Sequence, residues 1–388
     1  FVTGEAGQGK TALIQAFVRE ALAAHPALIP ACGNCNAYVG IGDPYLPFRE
    51  IMELLIGDVG AKSTIMAGAE NLNARLKRVF PTLIQTLLHD GQNLIDVFVT
   101  EGALTQQIGT CNKRDRVEVA PLWTQLRTVM ARRAAAPAPA PVRQEDLFRQ
   151  YTRVLRTAAQ RAPLLLVIDD LQWADLGSLS LLFHLGRRLE GSPILIIGAY
   201  RSEEVAMGRR GERHPLEPVV HEFARLWGDV RIDLAQSDGR RFVEALVDTE
   251  PNQLSAAFEN ELYAQTQGHP LFTVELLRGL QERGDLVQDD EGVWWEGPAL
   301  DWDALPERVE AVIAERIERL TPQARAALRA ASVEGETFTA EVLGRVQAWE
   351  TADTVALLSR ELDRRHRLIR AEGLQQTASG PLSRYRFR

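Results

Sequence analysis

No apolar run in this 388-residue chain approaches the length of a membrane span, and no signal peptide is visible at its start. A membrane role is therefore not expected, and a cytoplasmic setting is. A basic excess is missing too: the net charge of −8 argues against nucleic acid as the main ligand. Cysteine is scarce, at Cys32, Cys35 and Cys111. Cys32-Gly-Asn-Cys35 is a CxxC pair of the kind used for redox work or as half a zinc site. A second CxxC or a CxxH partner is missing, so no closed four-ligand site can be assembled locally; two reduced thiols near a strand end are the alternative. There is no initial Met, only three residues precede the first glycine motif, and Arg384–Arg388 stops inside a patterned segment. The chain thus reads as an internal piece of a longer protein, with two or three domains.

Against this plain background one stretch stands out. Gly4-Glu5-Ala6-Gly7-Gln8-Gly9-Lys10-Thr11 reads GxxxxGKT, preceded by Phe1-Val2 and followed by Ala12-Leu-Ile at helical spacing. That is the strand–loop–helix context of a phosphate-binding P-loop; a glycine-rich turn is the plainer alternative. Glycines let successive N–H groups curl around an anion, and the next helix offers its positive end. Lys10 would reach the β- and γ-phosphates of ATP or ADP, and the Thr11 hydroxyl would take a position on Mg²⁺. Gly4 to Ala12 are therefore the candidate nucleotide-binding residues.

Helical spacing continues to about Ala24, with Leu13, Ile14, Phe17, Val18 and Leu22 as one apolar stripe, before His25-Pro26 ends it. Ala27–Ala31 is the expected second strand, Gly33–Pro47 a loop and Phe48–Ile56 a helix. Gly57–Arg133 reads as an inserted group of weak helices broken by Pro81, Gly91, Gly102 and Gly109. Ala134–Pro141, with three prolines, reads as an extended linker. A helix over Glu145–Arg161 leads to Leu164-Leu-Leu-Val-Ile168, a run for a strand buried on both faces, ending in Asp169-Asp170. Carboxylates at that strand edge make a Walker B signature: Asp169 to hold Mg²⁺ and Asp170 to orient or activate water. Capping of the next helix is the alternative role for the pair. Trp173 is expected to seal packing beside the site, and Asp175 to cap a helix over Ser178–Leu189. Arg201, at the end of the Pro193–Tyr200 strand, is placed to sense a γ-phosphate, with a surface arginine as the alternative. Beyond a basic loop at Gly208–Gly211, Gln236–Arg283 is helical with a break at Gly268-His269-Pro270. A hairpin turns at Asp290–Gly292, and a helix covers Leu305–Leu320. Thr321-Pro322 opens another, and Leu368–Arg370 with Arg384–Phe387 suggest the wing of a winged helix.

GEAGQGKTALI, LLLVIDDLQWADLGSLSLL, IIGAYRSEE, QGHPLFTVELL and LPERVEAVIAERIERL follow one another across nearly the whole chain. In that order they resemble the STAND class of P-loop ATPases, as found in MalT-like and adenylate-cyclase-associated bacterial regulators. The resemblance implies an α/β P-loop core with an AAA-like parallel sheet over about 1–215, with its helical insertion at 57–141. A helical lid over 216–300 and a truncated winged helix over 301–388 would follow. It implies that Pro270 lines the adenine pocket, with His269 as the variable residue of the GxP segment. It also offers His366 as a counterpart of a phosphate-contacting histidine, against the simpler reading of a solvent-facing side chain. The implied activity is a slow, Mg²⁺-dependent ATP switch that self-associates in its ATP state and answers a ligand sensed by flanking domains. A AAA+-type remodelling motor is one alternative. A DNA-binding regulator, supported by Arg364–Arg367 and Arg384–Arg388, is another.

Overall fold

The structure, a computed structural model, describes residues 1–35, 44–56, 72–95, 97–99, 104, 121–122, 124–125, 127–128, 131, 142–208, 212–298, 300–302, 313–314, 317–318, 320–366, 368–377 and 380–387. Two compact units result, Phe1–Ser237 and Asp238–Arg388.

The first unit is built on strand β3, Leu164–Asp169, all six of whose residues are buried. Five of them are aliphatic, as a strand covered on both faces requires. Each such side chain contributes about 1.5–3 kcal/mol through its burial. β3 pairs with β2 (Ile29–Asn34) on one side and with β4 (Ile194–Tyr200) on the other; β1 (Val2–Thr3) follows β4, and β5 (Ile232–Asp233) closes the order β2-β3-β4-β1-β5. Every pairing is parallel, so β1, β3 and β4 all deliver their C-terminal ends to the same edge. The expected boundary of the core at residue 215 lies inside this unit, because β5 pairs with β1 and carries the sheet to Asp233.

Helices cover both faces of the sheet. α1, Lys10–Ala24, buries Ile14 and Val18, while Leu13 and Phe17 are 40% and 43% exposed. The expected single stripe is thus split: the ridge one residue over turns away from the sheet. β2 starts two residues later than expected, because Leu28 donates its N–H to His25 O and belongs to the turn after α1. It then runs on to Asn34, held in register with Asp169 by β3. Pro30 is tolerated within it because β2 is an edge strand.

α2 spans Leu46–Ile56, and α3 spans Leu72–Asp90 without interruption at Pro81. The proline forfeits one backbone hydrogen bond, yet Leu76, Val79, Phe80, Leu83, Ile84, Leu87 and Leu88 are all buried on either side of it. Packing of that face outweighs the break that Pro81 suggests. α4, Gln144–Ala159, inserts Tyr151, whose hydroxyl donates to Phe48 O at 2.8 Å. α5 (Leu176–Arg188), α6 (Ser202–Met207) and α7 (Leu216–Trp227) complete the unit. The helices expected over 57–71 and most of 100–133, the linker 134–141 and residues 209–211 lie outside the described residues.

In the second unit, α8 (Gly239–Val247) is capped by Asp238 and α9 (Ala256–Thr266) by Ser255. α10 (Pro270–Arg283) begins at the expected break, with Pro270 at its first turn and His269 Nδ1 accepting from Phe272 N. Gly268 has a φ of 69°, and a Cβ there would strike the backbone of Gly239. Only glycine fits where this break crosses the start of α8. A hairpin follows as expected, with β6 (Leu286–Gln288) and β7 (Trp294–Glu296) antiparallel around Asp289. The helix expected over 305–320 lies mostly outside the described residues.

Next come α11 (Pro322–Glu334), β8 (Thr337–Thr339), α12 (Ala340–Gln347) and α13 (Thr351–Ala356), which widens into a π-helical stretch over Leu357–Arg365. β9 (Ile369–Thr377) and β10 (Gly380–Phe387) then form a long antiparallel hairpin. β10 also pairs with β8, and Phe338, Leu343, Leu358, Leu362, Ile369 and Tyr385 fill the core beneath.

Tyr151→Phe tests the tie between α4 and α2. It removes one buried hydrogen bond from the Phe48 carbonyl, a loss of about 0.5–1.5 kcal/mol. Thermal unfolding should occur several degrees lower, with an unchanged far-UV spectrum.

Candidate functional site

The loop between β1 and α1 turns on Gly7 and Gly9, whose φ angles of 78° and 86° suit glycine. No side chain caps α1 at Gly9, and a Cβ placed on Gly9 would meet nothing within 4 Å. Open space thus lies beside helix-terminal amides, the arrangement that holds a phosphate. Gln8 ties the loop to itself, its Oε1 accepting from Glu5 N at 2.7 Å. The buried Lys10 lies back across the loop, its Nζ donating to Gly4 O and Glu5 O, each at 2.9 Å. Burial lowers its pKa, the charge of Arg201 adds to that, and Asp169, Asp170 and Glu5 oppose it. Ala12 sits in the first turn of α1.

The end of β3 meets this loop. Thr11 Oγ1 donates to Asp169 Oδ2 at 3.1 Å, across 158 residues of chain. Asp169 Oδ1 accepts from Asp170 N at 2.9 Å. Burial, joined by the Asp170 carboxylate, raises the Asp169 carboxyl above its ordinary range; those two hydrogen bonds and Lys10 offset part of that. A hydroxyl and a carboxylate oxygen side by side are hard donors of the type Mg²⁺ takes, and the loop beside them fits the phosphates that would carry it. Asp170 follows in the left-handed region at φ 56°, with Oδ1 accepting from Gln172 Nε2 at 2.8 Å.

Arg201 emerges at the same edge from β4. Its Nη1 pairs with Glu204 Oε1 at 2.8 Å, and its guanidinium lies 5.1 Å from the Trp173 ring centroid. Trp173 Nε1 donates to the other oxygen of Glu204 at 3.1 Å. Trp173 therefore packs on the core and also forms a shelf under Arg201. Asp175 caps α5 as expected, accepting from Ser178 N at 2.9 Å.

The fold thus brings Gly4 to Ala12, Asp169, Asp170 and Arg201 to one edge of one sheet. Pro270 opens α10 in the second unit. Cys32 and Cys35 are buried, reduced thiols in and just after β2, and burial, with nearby carboxylates, pushes the Cys35 thiol well up. His366 is half-buried, with Nδ1 4.0 Å from Glu282 Oε1, rather than facing solvent; it packs toward α10 across a cavity of about 420 Å³. Sequence reasoning passed over Gln172, Glu204 and His214. None of them belongs to a phosphate-binding pattern.

Asp169 carries a cost that substitution exposes. A carboxyl whose folded pKa is raised binds its proton more tightly in the fold, so stability is lost as pH rises through that pKa. Asp169→Asn should therefore unfold at a higher temperature than the parent at neutral pH without metal or nucleotide. The difference should shrink as acid protonates the parent carboxyl, and Mg²⁺–ATP should no longer add stability. Thermal scans at several pH values check all three.

No curated protein sequence matches the chain significantly. Among solved structures the chain is similar to the Orc1 protein of Aeropyrum pernix, determined in complex with DNA. Identity is 13% and the TM-score 0.28, over 74% of this chain and 80% of that one. A likeness that slight bears on neither fold nor function. The profile of the AAA ATPase domain, by contrast, matches residues 1–197, half of the chain and the whole stretch from the glycine loop through most of β4. On that match, and with the Thr11–Asp169 junction inside it, the chain belongs to the AAA ATPase domain family.

Proposed function

We propose that the chain is the ATP-binding, slowly hydrolysing switch module of a larger regulatory protein, of the STAND type its motifs resemble. The observation that carries the nucleotide part is the junction of Thr11 with Asp169 beside a glycine loop with open space at Gly9. Bound there, Mg²⁺ would draw charge off the β- and γ-phosphates. Lys10 would leave the Gly4 and Glu5 carbonyls and turn its ammonium to the phosphates. Thr11 and Asp169 would hold the metal, and Asp170 would orient the attacking water and receive its proton. Arg201 would exchange Glu204 for the γ-phosphate. Stacking on Trp173 and pairing with Glu204 give it a defined resting place, which suits a residue that reports whether the γ-phosphate is present.

The rest of the reading is that 216–300 acts as a lid with Pro270 at the adenine, and 301–388 as a winged helix. The order helix, strand, helix, helix, strand, strand from Pro322 to Phe387 supports the latter. Arg384 and Arg386 pair with Glu372, and Arg386 also with Glu336. Their charge is already answered within their own sheet, which favours protein over nucleic acid as the partner of this face. Self-association in the ATP state, and a ligand sensed by flanking domains, complete the proposal.

Nucleotide binding and phosphate release by the full chain test it. Lys10→Ala should abolish ATP binding. Asp170→Asn should bind ATP as the parent does and turn over about 10²–10⁴-fold more slowly, the usual contribution of a positioned proton acceptor. Arg201→Ala should bring the affinity for ATP down toward that for ADP. Equal turnover in the parent and the first two variants would refute the assignment. Rapid turnover by a constitutive ring would favour a remodelling motor instead.

A further inference from the structure

Between the carboxylate placed on the water and the arginine placed on the γ-phosphate lies one buried amide. Gln172 is 2% exposed, in the short 3₁₀ turn that leaves β3. Its Nε2 donates to Asp170 Oδ1 at 2.8 Å, and its Oε1 accepts from Arg201 N at 3.1 Å. Its main chain is fixed as well. His214, also 2% exposed, approaches Gln172 O with Nε2 at 2.9 Å. Leu216 N donates to His214 Nδ1, so Nε2 carries the ring hydrogen and donates to the carbonyl. The amide's orientation follows from the same accounting, since a carboxylate accepts and a backbone N–H donates.

We infer that Gln172 is a positioning residue that couples the two halves of the γ-phosphate site, and this rests on the proposed roles of Asp170 and Arg201. One end of the amide holds a carboxylate oxygen of Asp170 and fixes where the other can point. The opposite end holds the first residue after β4. A displacement of Arg201 toward a γ-phosphate pulls on Gln172 and is felt at Asp170, whereas ADP leaves both at rest. A rigid planar group with a donor at one end and an acceptor at the other can transmit such a displacement. An aliphatic side chain of equal size cannot.

The Asp170 end can be cut alone, or both ends together. Gln172→Glu keeps the acceptor for Arg201 N and replaces the donor to Asp170 with a second acid. Gln172→Leu removes both. With the full chain and Mg²⁺–ATP, Gln172→Glu should lower kcat at least about tenfold, at the low end of what a misplaced proton acceptor costs. Its preference for ATP over ADP should stay that of the parent. Gln172→Leu should lower kcat and also reduce that preference about fivefold, a modest coupling between sites. Gln172→Glu should not slow turnover further in an Asp170→Asn background, which a general loss of structure would do. Should Gln172→Leu fail to fold by thermal scan, Gln172→Glu and its combination with Asp170→Asn decide the matter alone. Parent-like kcat in a folded Gln172→Glu, or additive losses in the combination, would overturn the inference while leaving the ATPase reading intact. A parent that does not hydrolyse ATP, or an Asp170→Asn variant as fast as the parent, would remove that reading and the inference with it.

Discussion

The hydrogen bond between Thr11 and Asp169 joins the first loop of the chain to its third strand, and the rest of the first unit holds those two ends together. A hydroxyl on the first turn of α1 and a carboxylate at the tip of β3 meet only if β1 and β3 run the same way. They must also flank a common neighbour. β4 is that neighbour, pairing with β3 along Leu164–Ile168 and with β1 at Val2 and Thr3. Burying five aliphatic residues of β3 therefore does more than stabilise the sheet. It carries an acid to a place where solvation alone would never leave it. Asp169 is held with a raised pKa, and the most direct relief is a cation shared with Thr11. Strain of this kind is common where a site is built for a ligand that arrives later.

Around that junction the polar groups form two resting contacts rather than one finished active site. Lys10 bonds carbonyls of its own loop, and Arg201 bonds Glu204 over Trp173. In both cases a cation proposed to meet the nucleotide is satisfied by a neutral or weakly committed partner. The Arg201–Glu204 pair is about 30% exposed on each side, so solvent screens it and its net worth is within about 1 kcal/mol. A phosphate outcompetes such a partner easily. The low cost of leaving is what would let nucleotide occupancy, rather than the fold, decide where Arg201 sits.

Much of the first unit was legible in the sequence, and for physical reasons. A glycine loop, a two-sided apolar strand and an acid pair at its end are patterns that few other structures can use. The hairpin around Asp289 and the caps at Asp175 and Thr321 were legible because each depends on neighbours within four residues. Where sequence reasoning slipped, longer-range packing decided. Pro81 does not end a helix, because a continuous buried face on both sides of it is worth more than one hydrogen bond. Leu13 and Phe17 satisfy the spacing of a buried stripe, but the sheet offers a surface for only one ridge of α1. β2 runs on to Asn34 because its register is set by β3, 135 residues away.

Gln172 shows why the remaining part of the site was hidden. Nothing about a glutamine two residues after an acid marks it, since glutamine is ordinary at an exposed turn. Its role depends on three distant partners, Asp170 by a local turn, Arg201 through β4 and His214 through the segment before α7. A buried amide with both ends and its own carbonyl engaged is costly to place and hard to replace, because leaving any of the three groups unpaired costs about 1–3 kcal/mol. Such a group gains its place through what it connects. In this fold it connects the end of β3 to the end of β4, the two strand tips between which a γ-phosphate would have to be read and cleaved.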